Sequence, residues 1–176
     1  TNRRSEGQAS YDPRMIEIGK KAPAFHIADG EGEKHRLSSY TDHYVVLYFY
    51  PKDDTSGCTK EACAFRDLHP DFASLDAVVF GVSPDPVASH AKFAAKYNLN
   101  FPLLADEKDD DGTPPLCAKY GVWQEKSMYG KKYMGVVRTT YLIAPGGKVI
   151  QRWDKVKVPG HADEVLAAIQ EDKNKG

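Results

Sequence analysis

A cysteine at a strand-to-helix turn is the residue of this chain best placed to do chemistry. An apolar, aromatic run that includes Tyr48 and Tyr50 ends in a turn rich in Pro, Asp and Gly, and Cys58 follows where a helix begins. At a helix start the backbone N–H groups point outward and the helix dipole favours negative charge. Both effects favour the thiolate, which is the nucleophilic form of cysteine. The turn therefore predicts a reactive thiol.

A second cysteine, Cys63, lies five residues after Cys58. In a continuous helix, a rise of about 1.5 Å per residue places the two backbones roughly 8 Å apart. A disulfide needs about 4.4–6.8 Å between its two Cα atoms. The two thiols can therefore join only if the first turn of the helix unwinds, so local unfolding would be part of the reaction.

The three cysteines of the chain, which include Cys117, are too few for a disulfide scaffold. This usage fits a reducing compartment such as the cytoplasm, where a disulfide is transient and catalytic. Residues 1–15 are polar and lack the apolar core of a secretory signal, which indicates a flexible leader or a trimmed organelle-targeting peptide. Residues 16–176 contain no internal repeat or boundary and are expected to form one domain.

Composition argues against several classes of function. A net charge of -1 gives the chain no overall bias toward nucleic acid or an anionic membrane. No apolar run approaches the roughly 20 residues needed to cross a bilayer. The six histidines have no spacing typical of a metal site, and His69 and His90 are expected at surface or helix-cap positions. The run 106–115 is acidic and rich in turn residues, so it is expected to be an exposed loop. A divalent-cation site is the alternative, but the spacing of the aspartates does not match a calcium-binding loop.

The apolar pattern along the chain predicts a three-layer α/β domain with a mixed sheet. Strands are expected at 44–50, 77–83 and 101–105, and a hairpin is expected within 136–153. Helices are expected at 59–75, 86–98, 116–123 and 161–173. Pro70 predicts a kink or a break in the first helix near His69. The stretch with Lys126, Lys131 and Lys132 is expected to be a solvated loop.

Pro51, Thr55 and Cys58 together resemble the Pro-x-x-x-Thr-x-x-Cys motif of the peroxiredoxins. The continuation GCTKEACAFRD and residues 121–149 are similar to the peroxiredoxin Q/bacterioferritin comigratory protein (BCP) subfamily, and the resemblance extends from about residue 16 to residue 172. Ser56 departs from the pattern, since this subfamily usually has proline there. The change should loosen the turn slightly, but it removes no reactive group.

The resemblance implies a thioredoxin fold, with a mixed central sheet flanked by helices, and reduction of hydroperoxides by a cysteine thiolate. By position, Cys58 would be the peroxidatic cysteine and Arg138 its guanidinium partner. Arg138 is permanently cationic, so it can favour the thiolate and stabilise the charge that builds on the leaving oxygen. Thr55 would hold the peroxide, Pro51 would shield the pocket from water, and Glu61 would orient Arg138.

The resemblance also implies how the oxidised Cys58 is returned to its reduced form. Some members of the subfamily carry the resolving cysteine five residues after the nucleophile, and others carry it near the segment of Cys117. GCTKEAC matches the first arrangement, which favours Cys63 and leaves Cys117 as the alternative. A thioredoxin would then reduce the disulfide, with no metal, flavin or haem, and a monomer would suffice.

Two other functions are weighed against the peroxidase. A thioredoxin-like disulfide reductase would use C-x-x-C, whereas the pair here is C-x4-C. A redox-switched binding or holdase protein would use the same disulfide to change a surface rather than to turn over a substrate. A measurement of peroxide consumption distinguishes the two, because an enzyme turns over peroxide and a redox-switched binding protein does not.

Overall fold

The structure, a computed structural model, describes residues 14–175. Residues 1–13 of the predicted leader lie outside the described residues. Met15, at the end of the predicted leader, is buried and belongs to an apolar core cluster. Met15 is therefore part of the folded core, although it was assigned to the leader.

Within the described residues the chain forms nine strands, four α-helices and one 3-10 helix. The strands are β1 (His26–Ala28), β2 (Lys34–Arg36), β3 (Tyr44–Phe49), β4 (Ala77–Ser83), β5 (Leu103–Ala105), β6 (Trp123–Met128), β7 (Lys131–Val136), β8 (Thr139–Ile143) and β9 (Val149–Trp153). The helices are α1 (Ser56–Ser74), α2 (Val87–Tyr97), α3 (Pro115–Lys119) and α4 (His161–Lys175), with the 3-10 helix at Leu37–Tyr40.

Strand β3 is the centre of a five-stranded sheet in the order β5-β4-β3-β8-β9. It runs parallel to β4 and antiparallel to β8, and β9 pairs antiparallel with β8. All six residues of β3 are buried, as expected for a strand that is covered on both faces. The predicted mixed sheet and the predicted hairpin of β8 and β9 are therefore confirmed.

Two apolar clusters lie on the two faces of this sheet. Alternate residues of β3 contribute to them, with Val45, Leu47 and Phe49 in one and Val46 and Tyr48 in the other. This alternation follows from the period of two residues in a strand. Cys58 of α1 packs in the cluster of Tyr48, whereas Cys117 of α3 packs in the cluster of Phe49. The two cysteines therefore lie on opposite faces of the sheet.

Helix α1 continues through Pro70 to Ser74, so the helix does not break there, which was one of the two outcomes predicted for Pro70. A proline inside a helix has no N–H to donate to the carbonyl four residues earlier. Here that carbonyl belongs to Arg66, and it accepts a hydrogen bond from Asn100 Nδ2 at 3.2 Å instead. A side chain outside the helix therefore replaces the missing partner.

The basic stretch predicted as a loop is instead a β-hairpin, in which β6 and β7 pair antiparallel from Trp123↔Val136 to Met128↔Lys131. Its turn places Tyr129 and Gly130 at positive φ, which suits a two-residue hairpin connection. Most residues of both strands are exposed or half-buried, so no clean apolar alternation marks them in the sequence. The hairpin leads into β8 through only two residues, the second of which is Arg138.

No helix within residues 14–175 is long and apolar enough to span a bilayer.

Candidate active site

Cys58 lies in the first turn of α1, just beyond the end of β3. The helix starts there because the turn after β3 reverses the chain and the Thr55 carbonyl accepts the first helical hydrogen bond, from the Thr59 amide at 2.8 Å. The side chain is only 1% exposed and packs with Ala62 and Phe65. The structure thus places the Cys58 thiol at the helix start predicted from the sequence.

The guanidinium of Arg138 bridges Cys58 and Glu61. Its Nη2 donates to the Cys58 Sγ at 3.1 Å, and its Nη1 donates to Glu61 Oε1 at 2.6 Å. These partners lie 80 and 77 residues away along the chain. Gly57 permits the approach, because a Cβ there would meet Arg138 Nη2 at 3.3 Å. Arg138 thus contacts two other predicted site residues, Cys58 and Glu61, at the same time.

Glu61 is buried, with 1% of its surface exposed. Burial raises the pKa of its carboxyl from 4.5 to about 7, although the nearby Arg138 cation acts in the opposite direction. Among the described residues its Oε1 is paired with Arg138, while Oε2 has no hydrogen-bond partner. Glu61 therefore changes its charge near neutral pH while it remains in contact with the residue that contacts the thiol.

Thr55 and Pro51 lie on the turn before α1. Thr55 is exposed, and its hydroxyl donates to the Lys52 carbonyl at 3.2 Å rather than to the Cys58 thiol. Pro51 is half-buried and lines a cavity of about 690 Å³. Trp123, Lys126, Tyr133 and Met134 from the β6–β7 hairpin line the opposite wall of that cavity. A larger cavity of about 830 Å³ beside Trp153 is lined by none of the predicted site residues.

Lys126, which was predicted to lie in a solvated loop, is a half-buried residue of β6 that faces the site. Burial lowers the pKa of its ammonium group, the Arg138 cation lowers it further, and the Cys58 thiol acts in the opposite direction. Lys126 lines the cavity beside Pro51, whereas Cys58 and Arg138 do not. No local pattern in the sequence indicated this placement.

Comparison with known proteins identifies the chain. The family model described as AhpC/TSA family matches residues 18–152. Peroxiredoxin Bcp of Bacillus subtilis is 48% identical over 160 residues, which cover 91% of this chain and 99% of that protein. This chain belongs to the AhpC/TSA family.

Solved structures agree with this assignment. Xanthomonas campestris peroxiredoxin Q has a TM-score of 0.77 and 44% identity, covering 84% of this chain and 90% of that one. A Xylella fastidiosa peroxiredoxin Q mutant has a TM-score of 0.82 and 38% identity, covering 90% of this chain and 98% of that one. The chain is a peroxiredoxin of the peroxiredoxin Q/BCP type with a thioredoxin fold, and it is a thiol peroxidase. The predicted family, fold and enzyme class are confirmed.

Cys63 of this peroxiredoxin lies on the same unbroken helix as Cys58. All three cysteines are free, and Cys63 is half-buried. The continuous helix keeps the Cα atoms of Cys58 and Cys63 beyond the span of a disulfide, which is about 4.4–6.8 Å. The bond would thus require the first turns of α1 to unwind.

Cys117 has a different environment. It is fully buried in α3, and burial together with the Asp106 carboxylate raises the pKa of its thiol well above the ordinary value. Asp106 itself is 3% exposed and accepts hydrogen bonds from the amides of Leu116 and Cys117. The acidic run 106–115 is therefore not exposed throughout, because its first residue is a buried cap of α3.

His90, predicted at a surface or cap position, is fully buried, and its Nδ1 contacts Asp53 Oδ2 at 2.7 Å. That prediction is wrong, and a signal was available, since His90 lies three and seven residues before Phe93 and Tyr97, on the face of α2 that packs inward. Asp53 belongs to the turn between β3 and α1, so the peroxiredoxin site includes a buried pair that the motif did not indicate. His69 is half-buried, which lowers the pKa of its imidazole, and it stacks on Phe101.

One further group of side chains has the composition of a cation site. Asp29, Glu33 and His35 bring one ligand atom each within 4.8 Å of the others. However, Asp29 Oδ1 accepts hydrogen bonds from the amides of Glu31 and Glu33, and Oδ2 contacts His35 Nε2 at 2.8 Å. Asp29 is therefore already engaged in holding the turn between β1 and β2.

Proposed function

We propose that this peroxiredoxin reduces hydrogen peroxide and organic hydroperoxides through Cys58, with Cys63 as the resolving thiol and a thioredoxin as the reductant. The observation that carries the proposal is the contact of Arg138 Nη2 with Cys58 Sγ at 3.1 Å. A permanent cation at this distance donates a hydrogen bond to the reacting sulfur and is already in place when charge develops in the reaction.

In the first step, the Cys58 thiolate attacks the terminal oxygen of ROOH. An S–O bond forms while the O–O bond breaks, giving Cys58 sulfenic acid and RO⁻, which takes a proton to become ROH. The sulfur is oxidised by two electrons and the peroxide is reduced by two. Arg138 stabilises the negative charge as it moves from sulfur to the leaving oxygen.

The turn and the hairpin supply the surroundings of that step. Pro51 and the aromatic side chains of Trp123 and Tyr133 line the cavity beside the turn, which suits an organic substituent as well as hydrogen peroxide. Thr55 keeps its hydroxyl lone pairs free to accept a hydrogen bond from the peroxide, because its proton is given to Lys52. A solved structure of the Xanthomonas campestris bacterioferritin comigratory protein is described for its alkyl peroxide reduction activity.

In the second step, the Cys63 thiol attacks the sulfenic acid sulfur. The S–S bond forms and water leaves, so no further oxidant is needed. Two features favour Cys63 over Cys117. Cys63 needs only the unwinding of its own helix, whereas Cys117 is fully buried on the opposite face of the sheet, and its raised pKa disfavours the attacking thiolate.

A dithiol protein then completes the cycle by thiol–disulfide exchange. It forms a mixed disulfide with one sulfur, resolves it with its second thiol and leaves as a disulfide itself. Thioredoxin has this chemistry. Because both redox partners belong to one chain, a monomer suffices for the cycle.

Single cysteine-to-serine variants test this assignment. Cys58→Ser should abolish NADPH oxidation in an assay with peroxide, thioredoxin and thioredoxin reductase. Cys63→Ser should be oxidised once and then stall, because the recycling disulfide cannot form. Cys117→Ser is the matched control and should turn over at the wild-type rate.

Mass mapping of the wild-type protein after one equivalent of peroxide should locate a Cys58–Cys63 disulfide. A Cys58–Cys117 disulfide, or normal thioredoxin-dependent turnover of Cys63→Ser, would overturn the assignment of Cys63. Peroxide consumption by Cys58→Ser at the wild-type rate would overturn the assignment of Cys58.

A further inference from the structure

Asp53, in the turn that leads from β3 to α1, is held by three side chains. Its Oδ1 accepts a hydrogen bond from Tyr50 Oη at 2.6 Å. Its Oδ2 accepts one from Ser89 Oγ at 2.7 Å and contacts His90 Nδ1 at 2.7 Å. The backbone amide of Asp53 donates to Asp85 Oδ2 at 2.7 Å. The turn is therefore tied to the start of α2 and to the loop before it.

The second ring nitrogen of His90 makes a further buried contact. His90 Nε2 lies 2.9 Å from the Leu104 carbonyl oxygen, which can only accept a hydrogen bond. The imidazole therefore connects Asp53 to Leu104, and this buried bridge links the turn to α2 and β5.

Asp54 adds a weaker tie. Its carboxylate contacts Lys96 Nζ at 2.7 Å and accepts a hydrogen bond from Tyr97 Oη at 2.7 Å, at the other end of α2. The side chains of Lys96 and Asp54 are 58% and 42% exposed, and such surface pairs contribute little to stability. Asp53 is therefore the main anchor of the turn.

The helix that follows is held much less firmly at its start. Thr55 occupies the N-cap position of α1 without making a side-chain cap hydrogen bond. An uncapped helix start is less stable than a capped one by about 1 kcal/mol. The anchored turn and the uncapped first turn of α1 meet at Thr55. Unwinding that begins in α1 therefore has a fixed boundary on its N-terminal side.

We propose that Asp53, held by the side chain of His90, is a positioning residue that confines the unwinding of α1 to the residues after Thr55. The inference rests on the proposed Cys58–Cys63 chemistry. With the turn fixed, Cys58 can leave the helix toward Cys63 and return to the same place beside Arg138. Without it, the turn would move together with the helix, and Cys58 would lose its alignment with Arg138.

Hydrogen exchange of the reduced protein tests the anchor without any use of the disulfide. In Asp53→Asn and in His90→Gln, amide exchange in residues 51–63 should rise on the order of 10- to 100-fold relative to exchange in α4. The matched control is Asp29→Asn, which breaks the other Asp–His pair, the one with His35 at 2.8 Å. It should leave the ratio of the two exchange rates unchanged. Equal increases in residues 51–63 and in α4 would mean general destabilisation and would overturn the proposal.

Rapid-mixing kinetics provide a second readout. The rate constant of sulfenic acid formation should fall about ten-fold in Asp53→Asn, a change that corresponds to about 1.4 kcal/mol. The rate constant of disulfide formation should not fall. An unchanged rate of sulfenic acid formation would contradict the proposed role. If mapping excludes the Cys58–Cys63 disulfide, the exchange result still stands alone as a test of the anchor.

Milder variants keep the test decisive if Asp53→Asn does not fold. Tyr50→Phe and Ser89→Ala each remove one donor to Asp53, and each should raise local exchange about five-fold. Unchanged exchange in both mild variants would overturn the proposed anchor.

Discussion

At the scale of single residues, one cation is shared by two groups that compete for it. Arg138 contacts the Cys58 sulfur through one nitrogen and the Glu61 carboxyl through the other. When Glu61 carries its negative charge, it neutralises part of the positive charge that Arg138 presents to the Cys58 sulfur. When Glu61 is protonated, the hydrogen bond can remain, but the competing charge is gone. The proton on Glu61 therefore modulates the positive charge next to the sulfur.

Glu61→Gln should change how stability depends on pH. Because the folded-state pKa of Glu61 is raised to about 7, the folded protein keeps a proton that the unfolded chain has lost above pH 4.5. This contribution to stability is present at low pH and disappears as the pH rises through about 7. The wild-type free energy of unfolding, measured relative to Glu61→Gln, should fall by on the order of 3 kcal/mol over this range.

Urea unfolding curves at intervals between pH 4.5 and pH 8.5 would measure this difference, with Glu107→Gln, at an exposed position, as the control. The control should give a nearly flat difference. A difference for Glu61→Gln that is flat, or that grows with pH, would show that the carboxyl is not held in its protonated form by burial.

At the scale of elements, the proposed cycle requires α1 to be formed for the first step and to open for the second. Its later turns are secured by Phe65 and Phe72 in the core and continue past Pro70. Its first turn has no side-chain cap and contains Gly57, which has a low helix propensity. The same glycine makes room for the guanidinium of Arg138. The instability needed for opening and the space needed for the cation are therefore provided by one residue.

Gly57→Ala should make the protein more stable and less active. Alanine favours the helix over glycine by about 1 kcal/mol, which should slow disulfide formation about five-fold. The added Cβ would lie 3.3 Å from Arg138 Nη2, so the guanidinium must move by a few tenths of an ångström and sulfenic acid formation should also slow. Thermal unfolding and rapid-mixing kinetics measure the two effects.

Ser56→Ala separates the two causes, because it raises helix propensity at an exposed position of the same turn. It should slow disulfide formation without slowing sulfenic acid formation. If both variants changed the two steps equally, the close approach of Arg138 at Gly57 would have no kinetic role.

At the scale of the whole molecule, the three cysteines differ in how far the protein must open before their thiols become accessible. Cys63 is half-buried, Cys58 is buried in the first turn of a helix, and Cys117 is fully buried on the other face of the sheet. Local openings require less free energy than global unfolding, and they expose less surface. The depth of each thiol should therefore determine how it becomes accessible.

Labelling of the reduced protein with a maleimide should follow the order Cys63, Cys58, Cys117. Below the unfolding transition, urea should accelerate labelling of Cys117 with the full denaturant dependence of global unfolding, and labelling of Cys58 with a much smaller one. Peptide mass mapping over time measures all three rates. Labelling of Cys117 as fast as that of Cys58, with little effect of urea, would contradict the proposed difference between the two thiols.

Much of the central sheet could be predicted, because the sequence patterns that indicate its strands are local. The buried strands β3 and β4 appear as continuous apolar runs, and the β8–β9 hairpin follows from Pro145-Gly146-Gly147. The β6–β7 hairpin was missed because its exposed strands need no apolar alternation. The continuation of α1 through Pro70 depends on Asn100, 34 residues from the carbonyl of Arg66 that it satisfies. The residues close to Pro70 in the sequence give no indication that Asn100 is this partner.

The sequence by itself determined that a thiol follows a buried strand at a helix start, that Cys63 lies too far along that helix for a direct bond, and which family the chain resembles. Only the tertiary structure decided that Cys117 is buried on the opposite face, that Arg138 joins Cys58 to Glu61, and that His90 holds Asp53. The first group depends on neighbours in the chain and on helix geometry. The second depends on burial and on hydrogen bonds between distant segments, which exist only after the sheet and helices have packed.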